Sequence, residues 1–257
     1  MESPAANSRP QPTPAPFRML RQFNHPEGRK EVGRICRFHI RTFDNDLIES
    51  HFAGDSLQDR LARALAENRA VRAKEIFETF EFFAAVRKHV RAPHVADLCC
   101  GHGLTGLLFA LFERRVERVT LCDHRRPDSF DQVLACVSAV GPWVVEKVAY
   151  HTGPLKAAGE LLTPGASVVA QHACGELTDR CIDLGLGVGG ALALMPCCQR
   201  VTEGPTVIER ELGIEMASDI HRTYRLERHG YHVRWINVPP EITPMHRILV
   251  CTRKASS

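Results

Sequence analysis

Short apolar runs alternate with helix-like segments from residue 94 onwards, and this alternation constrains the fold more than any other feature of the sequence. The apolar runs have the length of strands and cover residues 94–99, 118–122, 144–150, 167–171 and 191–195. The helix-like segments between them cover residues 104–112, 130–140, 155–161 and 177–186. A strand that is followed by a helical crossover returns beside its parallel neighbour, so this order predicts a doubly wound parallel sheet.

The last part of the chain extends this sheet. A helix is predicted over about residues 208–229, and two apolar runs follow at 231–238 and 247–252. Only the short segment PPEITP and its neighbours separate these runs, so we expect two neighbouring, antiparallel strands. The sequence therefore predicts an α/β protein with a doubly wound, mostly parallel, seven-stranded Rossmann-like sheet.

The first ninety residues have a different character. Residues 1–16 contain five prolines and are expected to be a disordered tail or a short extended arm. Ser56 and Asp59 form a capping-box pattern that opens a helical stretch with apolar residues at helical spacing. Because this stretch is long for one helix, we expect two helices with a break near Asn68, ending before Pro93. The resulting division is a tail over 1–16, a basic arm and N-terminal helices over 17–90, and the sheet domain over 91–257.

The basic arm lies at residues 17–41 and holds seven basic residues against two acidic ones. Phe17, Phe23 and Phe38 are interleaved with the charges. A basic segment with aromatic residues can contact a nucleic-acid backbone, so RNA is the predicted partner of this segment. The alternative is a strand or loop that docks on the domain through its phenylalanines.

Composition excludes several classes of protein. The net charge of +3 is too small for nucleic-acid binding by charge alone. No apolar run is long enough for a membrane helix, and the N-terminus lacks the apolar core of a secretory signal, so we expect a cytoplasmic protein without a membrane partner. Ten cysteines are then expected to be mostly reduced, and their adjacent pairs do not have zinc-ligand spacing, so no metal site is predicted.

A glycine-containing loop follows the first strand and reads Asp97-Leu-Cys-Cys-Gly101-His-Gly103. Glycines in such a loop let the backbone turn sharply and approach a ligand, and ligands of these folds bind at the carboxyl ends of the strands. Gly101, Gly103 and Gly106 spell the dinucleotide pattern G-x-G-x-x-G, which is weak evidence alone. Asp97 before the glycines and the helical segment before the first strand argue against NAD.

The segment VADLCCGHGLTG resembles motif I of the class I S-adenosylmethionine (SAM) methyltransferases, with Cys99 in place of the first glycine of that motif. The resemblance implies SAM as the cofactor, with the loop around its methionine portion and Asp97 beside its amino end. It also implies that Asp123, which ends the second strand, binds the ribose hydroxyls, and that His124 flanks the adenine. A cap or turn acid is the alternative reading of Asp123.

Two later segments resemble one particular branch of the class I SAM methyltransferases. HACGELTD (residues 172–179) and MPCCQ (residues 195–199) follow the fourth and fifth strands. Together with Lys74-Glu75 they are similar to a branch that includes the tRNA acceptor-stem 2′-O-methyltransferases and the methyltransferase domain of glutathione-transferase C-terminal-domain-containing proteins. The resemblance covers about residues 70–255. The candidate cofactor residues are thus Lys74, Asp97, Cys99, Gly101, Gly103, Asp123, His124 and His172.

Four residues are candidates for catalysis. His172 is a possible base for the acceptor, although a buried structural histidine is the alternative. Cys174 and Cys197 follow adjacent strands, as in cytosine-C5 methyltransferases, where a thiolate adds to the pyrimidine ring, but Ala173 replaces the proline of that motif. Asp179 either takes part in the reaction or caps and orients its loop. The D/N-P-P-Y segment of adenine-N6 enzymes is absent.

The predicted function is SAM-dependent methylation of RNA, with tRNA or rRNA as the substrate. A small-molecule or protein methyltransferase of the same fold is one alternative. A binding module that keeps the fold without catalysis is the other, because the first glycine of motif I is missing.

Overall fold

Seven strands form a single sheet in the computed structural model, which describes residues 14–38, 42–197 and 206–254. In chain order they are β1 (His94–Leu98), β2 (Arg118–Asp123), β3 (Val148–Thr152), β4 (Ser167–Gln171), β5 (Leu192–Met195), β6 (Tyr231–Asn237) and β7 (Arg247–Arg253). Their spatial order is β3-β2-β1-β4-β5-β7-β6. Strands β1 to β5 run parallel, whereas β7 is antiparallel to β5 and β6. The predicted doubly wound, seven-stranded α/β fold is therefore confirmed.

The helices lie before and between these strands. They are α1 (Pro26–Arg37), α2 (Asn45–His51), α3 (Leu57–Glu67), α4 (Ala73–Val90), α5 (Leu104–Phe112), α6 (Ser129–Val140), α7 (Val144–Lys147), α8 (Glu176–Val188), α9 (Thr206–Leu212) and α10 (Ile214–Arg228). Two 3-10 segments are added at Arg21–Phe23 and Leu155–Leu161. In the described part of the chain, no helix is both long enough and apolar enough to span a membrane.

The predicted helix pair before the sheet is confirmed. The hydroxyl of Ser56 accepts a hydrogen bond from the backbone N–H of Asp59 at 3.1 Å, which caps α3. The next helix ends at Val90, and Asn68 is the C-cap of α3, as expected. The phenylalanines of α4 pack into the core, and the ring of Phe83 lies 5.0 Å from that of Phe109 in α5.

Two predicted elements differ from the structure. The strand expected over 144–150 begins only at Val148, because one helical turn, α7, precedes it. The single helix expected over 208–229 is divided at Gly213, whose φ of +80° interrupts the helical hydrogen bonding. This left-handed conformation favours glycine, so the break is a local property of the sequence.

The basic segment does not form an extended arm in its described residues. Residues 26–37 form α1, where Pro26 takes the first helical position and the ring of His25 accepts from the N–H of Gly28 at 3.1 Å. Phe17 and Phe23 are buried, whereas Phe38 is 72% exposed. Residues 1–13 of the predicted tail, residues 39–41 and Cys198 lie outside the described part of the chain.

The N-terminal segment is attached to α4 through a buried carboxylate. Glu81 accepts hydrogen bonds from the backbone N–H groups of Arg18, Met19 and Leu20, at 2.6, 3.1 and 2.8 Å. Helix α4 in turn packs against β4, β5 and β7, while α8 and α10 cover the opposite face of the sheet. Side chains of α4 therefore reach the carboxyl ends of β4 and β5, where ligands of this fold class bind.

Candidate active site

The loop after β1 carries the unusual backbone of the site. Gly101 and Gly103 have φ angles of +52° and +73°, and Gly103 begins α5. The positive φ of Gly103 favours glycine, and a Cβ there would also lie 2.8 Å from the terminal methyl of Leu121 in β2. Cys99, which stands where the motif has its first glycine, also has a positive φ, +57°. The loop therefore keeps the left-handed turn of the motif without that glycine, at a cost in backbone strain.

Two aspartates end the first two strands beside this loop. Asp97 is buried and accepts from the N–H of Gly106 at 2.8 Å. Burial, assisted by the charge of Asp123, raises the pKa of Asp97 to about 7. The carboxylate of Asp123 accepts from the N–H of Gly101 at 2.9 Å, and the ring of His124 lies 2.7 Å from its other oxygen.

A cavity of about 390 Å³ opens between this loop, the end of β4 and helix α4. Such a volume lies within the range of about 300–1,000 Å³ that is usual for ligand pockets. It is lined by Arg72, Lys74, Glu75, Glu78, Thr79, Asp97, Cys99, Cys100, Gly101, His102, Thr105, Gln171 and His172. Five of the eight predicted cofactor residues, His172 included, therefore line one cavity. Gly103, Asp123 and His124 are not among the lining residues.

Helix α4 contributes a chain of charged groups to the cavity. Lys74 lies 3.4 Å from Oε1 of Glu78, one helical turn later. The other oxygen of Glu78 lies 3.2 Å from Nε2 of His172, which follows β4. The side chain of Glu78 is only 3% exposed, and its Oε1 atom has no hydrogen-bond partner within the described residues. A buried carboxylate with an oxygen that lacks a hydrogen bond is costly.

The predicted thiols lie at the same edge of the sheet. Cys174 is exposed, and its sulfur is 2.8 Å from that of Cys197 and 3.4 Å from the carbonyl oxygen of His172. The thiol of Cys99, which lines the cofactor cavity, receives a hydrogen bond from the buried Cys181, and this bond lowers the pKa of Cys99. Cys36, Cys136, Cys181 and Cys251 are buried in the core.

Asp179 and His124 occupy other surroundings. Asp179 lies on α8, where both of its oxygens contact the guanidinium of Arg222, at 2.9 and 3.2 Å. This ion pair joins α8 to α10, so the position favours the orienting role over a part in the reaction. His124 is 85% exposed and borders Asp123 from the solvent side.

Several lining residues were missed by the sequence analysis. Glu78 is the most consequential, and the available signal was an acidic residue on the buried side of α4 between Phe77 and Phe80. Gln171 accepts from the hydroxyl of Thr105 at 2.9 Å and links the end of β4 to α5. His102 lies 3.4 Å from Glu75, which connects the glycine loop to α4.

The donor set of the cavity fits SAM. Glu75 and Asp97 place carboxylates in the lining of the cavity, which suits the positive sulfonium and amino groups of SAM. Lys74 and Arg72 can receive its carboxylate, and Asp123 can accept from a vicinal diol. Within the described residues, no cluster of histidine, cysteine or acidic side chains has the geometry to hold a metal ion.

Comparison with known proteins agrees with this geometry. A model of a family described as a methyltransferase domain matches residues 72–203, a little over half of the chain and including α4. The structure of cofactor-bound Rv0187 from MTB is similar, with 17% identity, 82% of this chain and 96% of that chain covered, and a TM-score of 0.52.

Two further solved structures show weaker similarity. The tRNA methyltransferase TrmK of B. subtilis has 12% identity, covers 68% of this chain and 66% of that chain, and gives a TM-score of 0.45. The O-methyltransferase TomG of Streptomyces achromogenes is 11% identical; the match covers 79% of the present chain and 91% of TomG, with a TM-score of 0.49. No curated protein sequence matches the chain.

The family match spans the helix, the glycine loop and both strand ends that line the cavity. The Rossmann-like order of the sheet and the acidic cavity beside the glycine loop agree with it. The chain belongs to the methyltransferase-domain family and is an S-adenosylmethionine-dependent methyltransferase.

Proposed function

We propose that this methyltransferase acts on RNA, with tRNA or rRNA as its substrate. The observation that carries the proposal is a stripe of exposed basic side chains on α1, formed by Lys30, Arg34 and Arg37. Their spacing of four and three residues places them on one face of the helix. Within the described part of the chain these three residues form no ion pair, whereas Arg29 is bound to Glu241 at 2.7 Å. The stripe therefore offers cationic groups for phosphates.

The stripe borders a groove that leads towards the cofactor cavity. The groove has a volume of about 870 Å³ and lies between α1 and residues 240–244. Lys74 lines both the groove and the cofactor cavity, so a polymer bound along the groove comes close to the reacting methyl group. Phe38 borders the same groove with an exposed ring, on which an unpaired base can stack.

The roles of the cavity residues in this proposal follow from their positions. Bound SAM supplies an electrophilic methyl group, so the protein mainly has to align the acceptor and accept its proton. The loop of Cys99, Gly101 and Gly103 surrounds the methionine portion, and Asp123 receives the ribose hydroxyls. Lys74 holds the carboxylate end, while Asp97 lies beside the amino end. His124 flanks the adenine from the solvent side.

The test is a labelling experiment with tritiated SAM and three acceptor pools: total RNA, total protein and a small-molecule extract. We expect label in RNA. The triple variant Lys30→Gln, Arg34→Gln and Arg37→Gln should lose most RNA labelling and show a shallower dependence of RNA binding on salt. A matched control removes Arg114, Arg115 and Arg118, exposed arginines beside the amino end of β2, in the same way.

A small-molecule acceptor is the second candidate, and one observation favours it. A broader cavity of about 1250 Å³ lies beside the cofactor cavity and shares Arg72, Glu75 and His102 with it. Its walls come from α2, α3 and the segments next to them, which could enclose a compact substrate. Label in the small-molecule extract, with none in RNA, would contradict the RNA proposal and support this one.

A further inference from the structure

Glu78 differs from the other buried glutamate of its helix. Glu81, three residues later, receives three backbone N–H groups and so has a structural role. Glu78 is nearly as buried, but its Oε1 makes only the ion pair with Lys74 and has no hydrogen bond among the described residues, while its Oε2 faces His172. Packing alone does not account for a carboxylate in this position, because burying it costs free energy.

His172 is held in an uncommon conformation. Its φ angle is +64°, and its backbone N–H donates to the carbonyl of Met195 at 3.0 Å. Non-glycine residues adopt this region at an energetic cost, and such strain is frequent at functional positions. The ring lines the cofactor cavity with its side chain 36% exposed. Nε2 lies 3.2 Å from the carboxylate of Glu78 and 3.5 Å from the amide nitrogen of Gln171, whereas Nδ1 has no hydrogen-bond partner in the part of the chain that the structure describes.

We propose that Glu78 is a positioning residue that prepares His172 to remove the proton of the methyl acceptor. The carboxylate of Glu78 accepts a hydrogen bond from Nε2–H of His172, which leaves the lone pair of Nδ1 for the acceptor. The same carboxylate stabilises the imidazolium that forms. Lys74 limits the negative charge of Glu78 from the other side, at 3.4 Å. This inference rests on the proposed function for its acceptor, which becomes an RNA oxygen or nitrogen that carries a proton.

The step balances without a further reagent. The acceptor oxygen or nitrogen forms a bond to the methyl carbon, and the bond from that carbon to sulfur breaks with its electron pair left on the sulfur. The acceptor proton moves to Nδ1 of His172, and solvent removes it after the transfer. Neither Cys174 nor Cys197 forms a bond in this step.

A double-mutant cycle tests the coupling of the two residues. With total RNA as the acceptor and saturating SAM, we expect His172→Gln to lower kcat about 10²- to 10⁴-fold. Glu78→Gln should lower kcat about 10- to 100-fold, the loss that corresponds to one charge-assisted hydrogen bond. In the His172→Gln background, Glu78→Gln should cost almost nothing further, because it acts through the histidine. Glu117→Gln, an exposed change near the amino end of the sheet, is the control.

The affinity for SAM distinguishes a positioning role of Glu78 from a role as a ligand of the cofactor. The dissociation constant of SAM for Glu78→Gln, measured by calorimetry, should stay within about threefold of the wild-type value, well below a tenfold loss. If the variant binds SAM much more weakly and recovers its kcat at saturation, Glu78 is a cofactor ligand and the inference is wrong. Additive losses in the double variant would also overturn it, as would an unchanged kcat in Glu78→Gln.

A nuclear magnetic resonance measurement decides the inference even if no RNA is labelled. In the ¹⁵N-labelled wild type, the neutral ring of His172 should carry its proton on Nε2, with the resonances assigned through their loss in His172→Gln. In Glu78→Gln both tautomers should appear, because a glutamine amide can donate as well as accept. A wild-type ring protonated on Nδ1 would overturn the inference, whereas failure to label RNA with the expected tautomer would overturn only the RNA proposal.

Discussion

The two walls of the cofactor cavity are built in different ways. One wall is the loop after β1, where neighbouring residues create the site through backbone conformation, with positive φ angles at Cys99, Gly101 and Gly103. The other wall is helix α4, where regular backbone presents Glu78, paired with Lys74, to a histidine more than ninety residues later. The loop wall is therefore suited to hold a cofactor, whereas Glu78 on the helix wall is suited to position the side chain of His172.

The largest expected effect is a loss of kcat without a loss of SAM affinity, caused by a change at His172. His172→Ala should lower kcat about 10²- to 10⁴-fold, since general-base catalysis typically contributes that much. Affinity for SAM should change little, because the loop wall stays intact. Steady-state kinetics with calorimetry of SAM binding provides the measurement, and a variant that loses SAM affinity instead of kcat would show that the walls are not separate.

The second effect is on the loop wall alone. Asp123→Ala should weaken SAM binding about 10- to 100-fold, because the ribose hydroxyls lose an acceptor and the N–H of Gly101 loses its partner. SAM-induced thermal stabilisation should shrink in parallel. The exposed change Asp131→Ala serves as the control. Full stabilisation of Asp123→Ala by SAM would remove Asp123 from the cofactor site.

The third effect concerns pH and the buried acid of the loop wall. Burial raises the pKa of Asp97 to about 7 from an ordinary value of 3.8, so the folded protein keeps a proton that the unfolded chain releases between these values. The resulting stability is complete below about pH 3.8 and is lost as the pH rises through about 7.

The melting temperature of the cofactor-free protein should therefore fall more steeply between pH 5 and pH 8 in the wild type than in Asp97→Asn. Between these two pH values, the melting temperature of the wild type should fall by at least about 2–4 °C more than that of Asp97→Asn. This is the change that one kcal/mol causes in a chain of this size. Scanning calorimetry at both pH values gives the answer. Parallel curves for the two proteins would show that Asp97 is ionised in the folded state throughout this range.

The smallest effect is expected at the two thiols that follow β4 and β5, Cys174 and Cys197. If the acceptor is an oxygen or nitrogen, Cys197→Ala should lower kcat only a few-fold, far less than the loss of about 10²-fold or more in His172→Ala. If the enzyme instead adds a thiolate to a pyrimidine ring, Cys197→Ala should abolish turnover or trap a covalent RNA complex. Gel analysis of labelled RNA under denaturing conditions distinguishes these outcomes.

Much of the fold and of the loop wall could be predicted from the sequence. Strand β4 and helix α5 have the predicted bounds, because apolar periodicity within a short window reports which face of an element is buried. The glycine loop was predictable because positive φ angles favour particular residues locally. The early turn of α7 and the helical course of α1 were missed, since their sequence signals are short and compete with strand or charge patterns.

The sequence by itself determined the alternation of strands and helices and the position of the glycine loop and its two aspartates, because local periodicity and turn residues encode these features. Only the tertiary structure decided the second wall. Glu78 meets His172 because α4 packs across β4 and β5, and no periodicity in α4 encodes that partner. The tertiary structure also places Asp179 in an ion pair with Arg222, away from the cavity. Packing between distant segments decides which charged side chains face each other. The partner of Glu78 is a side chain of the cavity, whereas the partner of Asp179 is an arginine of α10.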